Sequence, residues 1–480
     1  MNDKTKYLVK NTTILTVSNF ATKILTVLLI PLYTGVLTTS EYGVYDLVVT
    51  SVSLIFPILT LNIIDAIMRF SLDNHCSKDD IGKIGFRYVL VSTGIVSGAL
   101  AVIYCFHLIP AVRNYCIYIF LYYLTTAMNS FLMQFAKGCE KVKKIGIAGV
   151  IGTIMTISLN ILFLLVIQLG LPGFFLATIL SQMTVCLYYM MSLRFFERIK
   201  KGHYDKALER EMLLYCLPLV VTTIGWWVNS ASDKYVVTFF CGVAANGLLS
   251  ISYKIPTILT TLQNIFIQAW QISAVKEYGN EKTATFYGRI FSFVNFMMCA
   301  SCAWLIVLTK LLAHFLYAKD FYAAWAYVPF LLISTVFNCS SGLLGPILSA
   351  KKDSKSMAMS AVYGAGANLI MNVLFVWLMG IQGATIATVI SSFIIYFVRK
   401  KAVGQEIIID RYQVILITWA LLCVQAVIEI YTPFWWLEAG LMGVMLYLNW
   451  GQMMNLIRMG RNVLRSRKVN EKSTGENATL

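Results

Sequence analysis

The residues of this chain with most chemical potential are charges set inside apolar segments. Lys23 stands between Asn11 and Tyr33, roughly 18 Å and 15 Å along a helix from those two polar ends. A lysine stem reaches only about 6 Å, so snorkelling brings this ammonium to neither surface. Facing lipid it would cost about 2.5–3.5 kcal/mol. It is either half of a structural pair with a buried carboxylate or a cation lining a polar cavity, and the second reading is favoured. Lys254 lies in the outer third of its segment, where outward snorkelling is the plain alternative. Asp46 is a lone carboxylate, a coupling-ion or proton site or else the counter-ion of a lysine. Asp233 and Lys234 fall near a segment end and read equally as an interfacial pair. Asp65 and Arg69, four apart at a helix end, read as a surface pair. Cations in a low-dielectric cavity attract phosphate strongly.

Polar residues flank these charges at helical spacing. Ser250, Lys254, Thr257, Thr261, Asn264, Gln268 and Gln271 alternate by four and three, which predicts one continuous helical face. Asp46, Thr50, Ser53, Pro57, Thr60 and Ile64 make a similar stripe. The offset that carries Gly43 to Gly247 also carries Asp46 to Ser250, Thr50 to Lys254 and Ser53 to Thr257. A third stripe holds Thr12, Thr16, Asn19, Lys23, Thr26 and Tyr33, and a fourth holds Tyr215, Thr222, Trp226, Asn229 and Asp233. Polar stripes along apolar helices belong on a bundle interior or a water-filled cavity. Thr, Asn and Gln, with Trp226 and Tyr33, suit hydroxyl-rich cargo through hydrogen bonds and stacking.

The elements that carry these stripes are membrane spans. The 480 residues are 58% hydrophobic and 13% charged, against about 25% charged in soluble domains. Apolar runs long enough to cross roughly 30 Å of hydrocarbon fall at 11–33, 42–64, 86–108, 113–135, 145–168, 171–193, 212–233, 245–269, 286–308, 322–347, 357–378, 380–398, 412–431 and 434–455. The fold class is therefore all-α integral membrane, with about fourteen transmembrane helices.

Charge tests that map. With the N-terminus in the cytoplasm, the great majority of the 39 Lys and Arg fall on the inner side, including Arg399. The outer side holds only Arg113, Lys234, Lys310 and Lys319. Both termini are thus expected on the cytoplasmic side of the membrane. The net charge of +16 reflects this topology; no basic domain stands apart, which argues against nucleic acid. Cys299 and Cys302 form a CxxC inside a span and read as packing residues, since zinc needs four converging ligands. The four His are scattered and no P-loop or catalytic grouping occurs, so no catalytic residue, metal site or cofactor is assigned and the chain is not read as an enzyme. The N-terminus does not look like a cleaved signal peptide. The segment after Met459 reads as a basic cytoplasmic tail that anchors on anionic lipid.

The chain also repeats. LGLPGFFLATILS (169–181) matches MGIQGATIATVIS (379–391), and Asn160-Ile-Leu-Phe163 matches Asn372-Val-Leu-Phe375. YGVYDLVVT (42–50) answers NGLLSISYK (246–254). Six spans separate the copies, so the halves share orientation: a parallel repeat, which places cargo at the interface of the halves. Gly170, Gly173, Gly380 and Gly383 read as close helix packing.

The opening ATKILTVLLIPLYTGVLTTSEYGVYDLVVT (21–50), the segment SASDKYVVTFFCGVAANGLLSISYKI (230–255) and the two Asn…Gly-x-x-Gly-x-x-x-Ala-Thr blocks resemble the Wzx-type polysaccharide repeat-unit flippases. These belong to the multidrug/oligosaccharidyl-lipid/polysaccharide exporter superfamily. The resemblance spreads over about residues 8–400. It departs from the frequent Gly-x-Tyr of the eighth span, which reads Gly247-Leu-Leu here. The resemblance implies two six-helix lobes, 1–205 and 206–405, then two helices over 406–457 and the tail 458–480. It implies alternating access for an undecaprenyl-pyrophosphate-linked oligosaccharide destined for capsule, O-antigen or other cell-surface polysaccharide. Lys23, Lys254 and Lys234 would hold the pyrophosphate, with Asn19, Trp226, Asn229, Thr257, Thr261, Asn264 and Gln268 lining the site. Asp46 and Asp233 would couple to an H+ or Na+ gradient or the membrane potential. Membrane lipids, a polymerase and other assembly proteins would be partners. A multidrug antiporter on the same fold and a membrane polysaccharide polymerase are the alternatives.

Overall fold

In the computed structural model the described residues are 27–71, 76–108, 110–279, 283–432 and 434–454, and among them every regular element is helical. The helices are α1 (Ile30–Val36), α2 (Thr39–Leu59), α3 (Ile63–Ser71), α4 (Lys78–Phe106), α5 (Pro110–Arg113), α6 (Cys116–Gly138), α7 (Val142–Asn160), α8 (Gly170–Ser192), α9 (Phe195–Lys201) and α10 (Lys206–Cys241). Then follow α11 (Val243–Ser252), α12 (Pro256–Lys276), α13 (Thr283–Val307), α14 (Thr309–Leu316), α15 (Val328–Ala350), α16 (Ser354–Met379), α17 (Ile381–Val403), α18 (Tyr412–Tyr431) and α19 (Trp435–Leu448). Among the described residues, 11 helical segments are long and apolar enough to cross a membrane. Their surfaces carry Phe239, Val166, Ile370 and Trp377 in exposed positions, a dense apolar exterior that water does not tolerate and lipid does.

The chain forms two compact units: one of the residues up to Ile251 with His314–Ala323, the other of Ser252–Ala313 with the residues from Ala324 onward. In the first, α8 packs on α6 and α7, and α6 on α3 and α4. Phe195 is wedged against Phe86 and Phe131, with ring centroids 5.2 and 5.6 Å away. In the second, α15 is the central helix, packed by α12, α13, α17 and α18. It carries no charged residue, and Trp270 of α12 donates its indole N–H to the Leu343 carbonyl at 2.8 Å.

Helix ends follow local chemistry. Thr38 and Glu41 form a capping box at α2, each side chain bonding the other's backbone N–H. Asp205 caps α10. Asp353 caps α16 by accepting from Ser356; these bonds hold its carboxyl below the usual range.

Three expectations are corrected. The span at 42–64 ends at Leu59, because Leu61 and Asn62 adopt left-handed backbone, so Ile64 leaves the α2 stripe. The span at 245–269 is interrupted at residues 253–255. Pro256 opens α12; its ring clashes with the carbonyl four residues back and it lacks an N–H to continue the ladder. The stripe from Ser250 to Gln271 is therefore two faces. Arg399, expected among the inner-side loop charges, is only 6% exposed. Its guanidinium donates to Ser360 Oγ and the Ser341 carbonyl, both at 3.0 Å, tying α17 to α16 and α15.

The repeat blocks perform the same task in both halves. Gly170 and Gly380 take positive φ, +60° and +62°, at the turns that open α8 and α17. A Cβ on Gly173 would press on Phe163, and one on Gly383 would overlap the Phe375 carbonyl. Ser181 reaches back to Thr156 Oγ1 at 2.7 Å, and Ser391 is met by Asn368 Nδ2 at 3.2 Å. Gly383→Ala is expected to cost about 1–3 kcal/mol of stability, as overpacking does. Gly366→Ala, whose Cβ meets nothing within 4 Å, is expected to leave stability within about 0.5 kcal/mol. Thermal melting of the purified protein checks this; equal melting of both variants contradicts the packing role.

Candidate functional site

Asp46 is a junction of three helices in the first unit. Its Oδ1 accepts from Lys234 Nζ of α10 at 2.9 Å, with 16% and 18% of the two side chains exposed. Lys234 Nζ also lies 3.4 Å from Thr50 Oγ1. From α11, Asn246 Nδ2 donates to Asp46 Oδ2 at 3.4 Å and to the Gly43 carbonyl at 3.2 Å. The α2 stripe is thus a contact face for α10. Trp227 Nε1 donates to the Thr50 carbonyl at 3.1 Å and Ser53 Oγ at 3.2 Å, and Ser51 Oγ meets Tyr235 OH at 2.6 Å. The partner of Asp46 is Lys234 and the partner of Ser53 is Trp227, so the two helices run antiparallel. At 1.5 Å per residue the ion pair sits about 10 Å from the start of α2 and the end of α10.

Glycines bring α11 this close. A Cβ on Gly43 would overlap the Val243 carbonyl, and one on Gly247 would overlap the Thr39 carbonyl. Each glycine backs onto the residue one turn before the other glycine, so the two repeat segments cross symmetrically. Beside the crossing, Tyr33, Tyr42 and Tyr45 pack around Phe174, with centroids 4.5, 6.1 and 4.0 Å from it. Tyr45 OH meets Thr178 Oγ1 at 3.0 Å. Thr34 Oγ1 donates to the Leu316 carbonyl at 3.1 Å and accepts from the Ala318 N–H at 3.0 Å.

The other expected site residues distribute as follows. Lys23 and Asn19 lie outside the described residues. Asp233 is buried and its Oδ1 accepts the Lys234 backbone N–H at 3.0 Å; the Lys234 ammonium goes to Asp46. Asn229 Oδ1 is buried without a hydrogen-bond donor, while Trp226 is 55% exposed. In the second unit, Lys254 is half-buried at the interruption that precedes α12. The Thr257 hydroxyl donates to the Lys254 carbonyl in the turn before α12, and the Thr261 hydroxyl to the Thr257 carbonyl of its own helix. Asn264 and Gln268 are exposed on α12. Cys299 and Cys302 are buried in α13, Cys299 Sγ facing Asn295 Oδ1 at 3.5 Å.

Sequence reasoning missed Asn246 and Trp227. The signal for Asn246 was its place: a lone amide in an apolar helix, directly before the glycine matched to Gly43. Lys234, read as an interfacial partner of Asp233 or as an anion-holding cation, places its ammonium on Asp46, one of whose two readings was the counter-ion of a lysine. Removing one member of such a pair leaves the other uncompensated. Asp46→Asn is expected to destabilise by about 3 kcal/mol, the lower end for a buried pair because both side chains keep some exposure. Asp46→Asn with Lys234→Gln is expected to recover part of that loss. Melting of the four proteins in a double-mutant cycle checks this; strictly additive losses contradict the pairing.

The comparisons agree with this architecture. Residues 8–272, more than half of the chain, match the family described as "Polysaccharide biosynthesis protein". The fold is similar to that of the lipid II flippase MurJ in its inward closed conformation, with TM-score 0.63 and 16% identity over 92% of this chain and 98% of that one. It is similar to an inward-facing multidrug resistance MATE transporter of the MOP superfamily, with TM-score 0.62 and 14% identity over 79% of this chain and 94% of that one. A MOP superfamily transporter from Pyrococcus furiosus gives TM-score 0.53 and 14% identity over 88% and 94%. No curated protein matches the chain. At these identities the structural likeness establishes the fold, and the family match establishes kinship: the chain belongs to the polysaccharide biosynthesis protein family and has the fold of the MOP-superfamily transporters.

Proposed function

We propose that this protein is a flippase that carries undecaprenyl-pyrophosphate-linked oligosaccharide repeat units from the inner to the outer leaflet of the bacterial cytoplasmic membrane by alternating access. The observation that carries this reading is the family match over residues 8–272, which includes every candidate charge: Lys23, Asp46, Asp233, Lys234 and Lys254. Likeness to a lipid II flippase supports a lipid-linked cargo of the same chemical kind. No bond in the cargo is made or broken, so the activity is transport and needs no cofactor. The product would pass to a polymerase and other assembly proteins on the outer face, and both termini would lie in the cytoplasm.

The ion pair suggests how coupling works. With Asp46 ionised, Lys234 is held at 2.9 Å and its charge is spent. A proton or cation on Asp46 frees that ammonium for a pyrophosphate. Conversely, an anion bound to Lys234 favours the coupling cation on Asp46, as linkage requires. Lys23 and Lys254 supply the standing positive field. Asn19, Trp226, Asn229, Thr257, Thr261, Asn264 and Gln268 meet the sugars, and Asp233 is the second candidate for the coupling ion.

Lys23→Ala and Lys254→Ala are each expected to abolish export of surface polysaccharide in cells that depend on this protein, with protein level unchanged. Thr257→Ala is expected to be milder, since one neutral hydrogen bond is worth about 0.5–1.5 kcal/mol. Surface-glycan staining together with membrane immunoblotting checks this. Normal export in both lysine variants removes the cationic assignment. Gradient-driven extrusion of an organic cation by the wild type, without glycan export, moves the protein to the drug antiporters.

A further inference from the structure

Three charged side chains from three helices converge in the second unit, away from every residue assigned above. Glu429 lies in the last turn of α18, Glu438 in the first turn of α19 and Lys310 in the first turn of α14. Both acids are buried, at 3% and 2% exposure. Lys310 Nζ lies 3.6 Å from Glu429 Oε1, donates to the Glu429 backbone carbonyl at 2.9 Å and sits 4.7 Å above the centre of the Trp325 ring. Across the α18–α19 connection the Glu438 carboxyl faces that of Glu429. Yet Glu429 Oε1 and Glu438 Oε2 are both buried without a hydrogen-bond donor.

Ionised carboxylates are acceptors only, so two of them in contact cannot bond without a hydrogen between them. The charge balance agrees. The charged groups that face Glu429 are Lys310 and Glu438. The other helices packed on α18 add nothing at this end: α15 has no charged residue, and Arg289, the one charge of α13, is in its opposite half. On α14, His314 is exposed one turn beyond Lys310. Two carboxylates and one ammonium leave a net charge of minus one in a buried place. One added proton makes the cluster neutral and also supplies the missing donor. Like-charged carboxylates that share a site hold a proton for this reason. The Lys310 side chain, 39% exposed, gives the cluster its route to solvent.

We propose that Glu429 and Glu438 share one proton, with Lys310 as the fixed counter-charge, and that this proton-binding site fastens the α18–α19 hairpin to the start of α14. The site stands on this geometry and not on the identity of the cargo. Loss of the proton leaves two adjoining carboxylates with one cation, and the hairpin loosens. Each glutamine replacement makes the cluster neutral without a proton, so each removes the titration.

The test is an infrared pH titration of the full-length protein in lipid nanodiscs, following the carbonyl band of protonated carboxyl groups. The wild type is expected to show a deuterium-sensitive band that fades as the pH rises. Glu429→Gln and Glu438→Gln are each expected to lose it. Lys310→Gln is expected to retain it to a pH at least one unit higher, a tenfold gain in proton affinity, because removal of the cation makes the proton harder to release. A wild type without a titrating band overturns the proposal, and this needs no variant to fold. A band unchanged in both glutamine variants overturns it, as does a band abolished by Na+ at fixed pH, which would assign the site to a metal ion.

Discussion

A carboxylate and an ammonium set about 10 Å inside two helices must meet each other or face water, and the first unit is arranged so that they meet. Asp46 and Lys234 lie 2.9 Å apart. Everything near them serves that contact. The α2 capping box fixes where the helix starts, the Trp227 and Tyr235 bonds fix the α2–α10 register, and the Gly43–Gly247 crossing lets Asn246 reach the free oxygen of Asp46. The polar stripe of α2 follows from this arrangement, because its residues are the ones that face α10.

Much of the fold was legible in hydropathy. The segment read at 412–431 is α18 to the residue, and those read at 171–193 and 357–378 match α8 and α16 within a few residues. A membrane makes this possible: an exposed polar backbone in hydrocarbon is so costly that length and apolarity nearly determine a spanning helix. The repeat was legible for a related reason, since Gly173 and Gly383 leave no room for any other side chain. Interruptions were less legible. Pro256 was in view, but periodicity alone gave no reason to break a stripe that continued in phase on either side of it. The left-handed pair Leu61–Asn62 carries no glycine or proline to announce it.

Partnerships across helices were the least legible. Spacing placed Asp46 inside a span and Lys234 near a segment end, but did not make each the other's partner, because their contact depends on how α2 and α10 pack. Nothing in the spacing singled out Glu429 and Glu438; the contact of Lys310 with Glu429 makes them part of one cluster. Arg399 followed Phe397 and Val398 and looked like a charge at an inner helix end. Its burial depends on the serine hydroxyl and carbonyl that α16 and α15 supply.

The proposed activity is movement of a lipid-linked glycan across a bilayer. The most direct measurement reconstitutes the purified protein in liposomes with an oligosaccharide linked through pyrophosphate to undecaprenol. A membrane-impermeant lectin then reports how fast the glycan reaches the other leaflet, with and without an imposed ion gradient. Wild-type protein is expected to accelerate this movement at a rate that the gradient changes, and Lys23→Ala protein is expected not to accelerate it. Movement no faster than in protein-free liposomes, under every gradient imposed, would contradict the proposed activity.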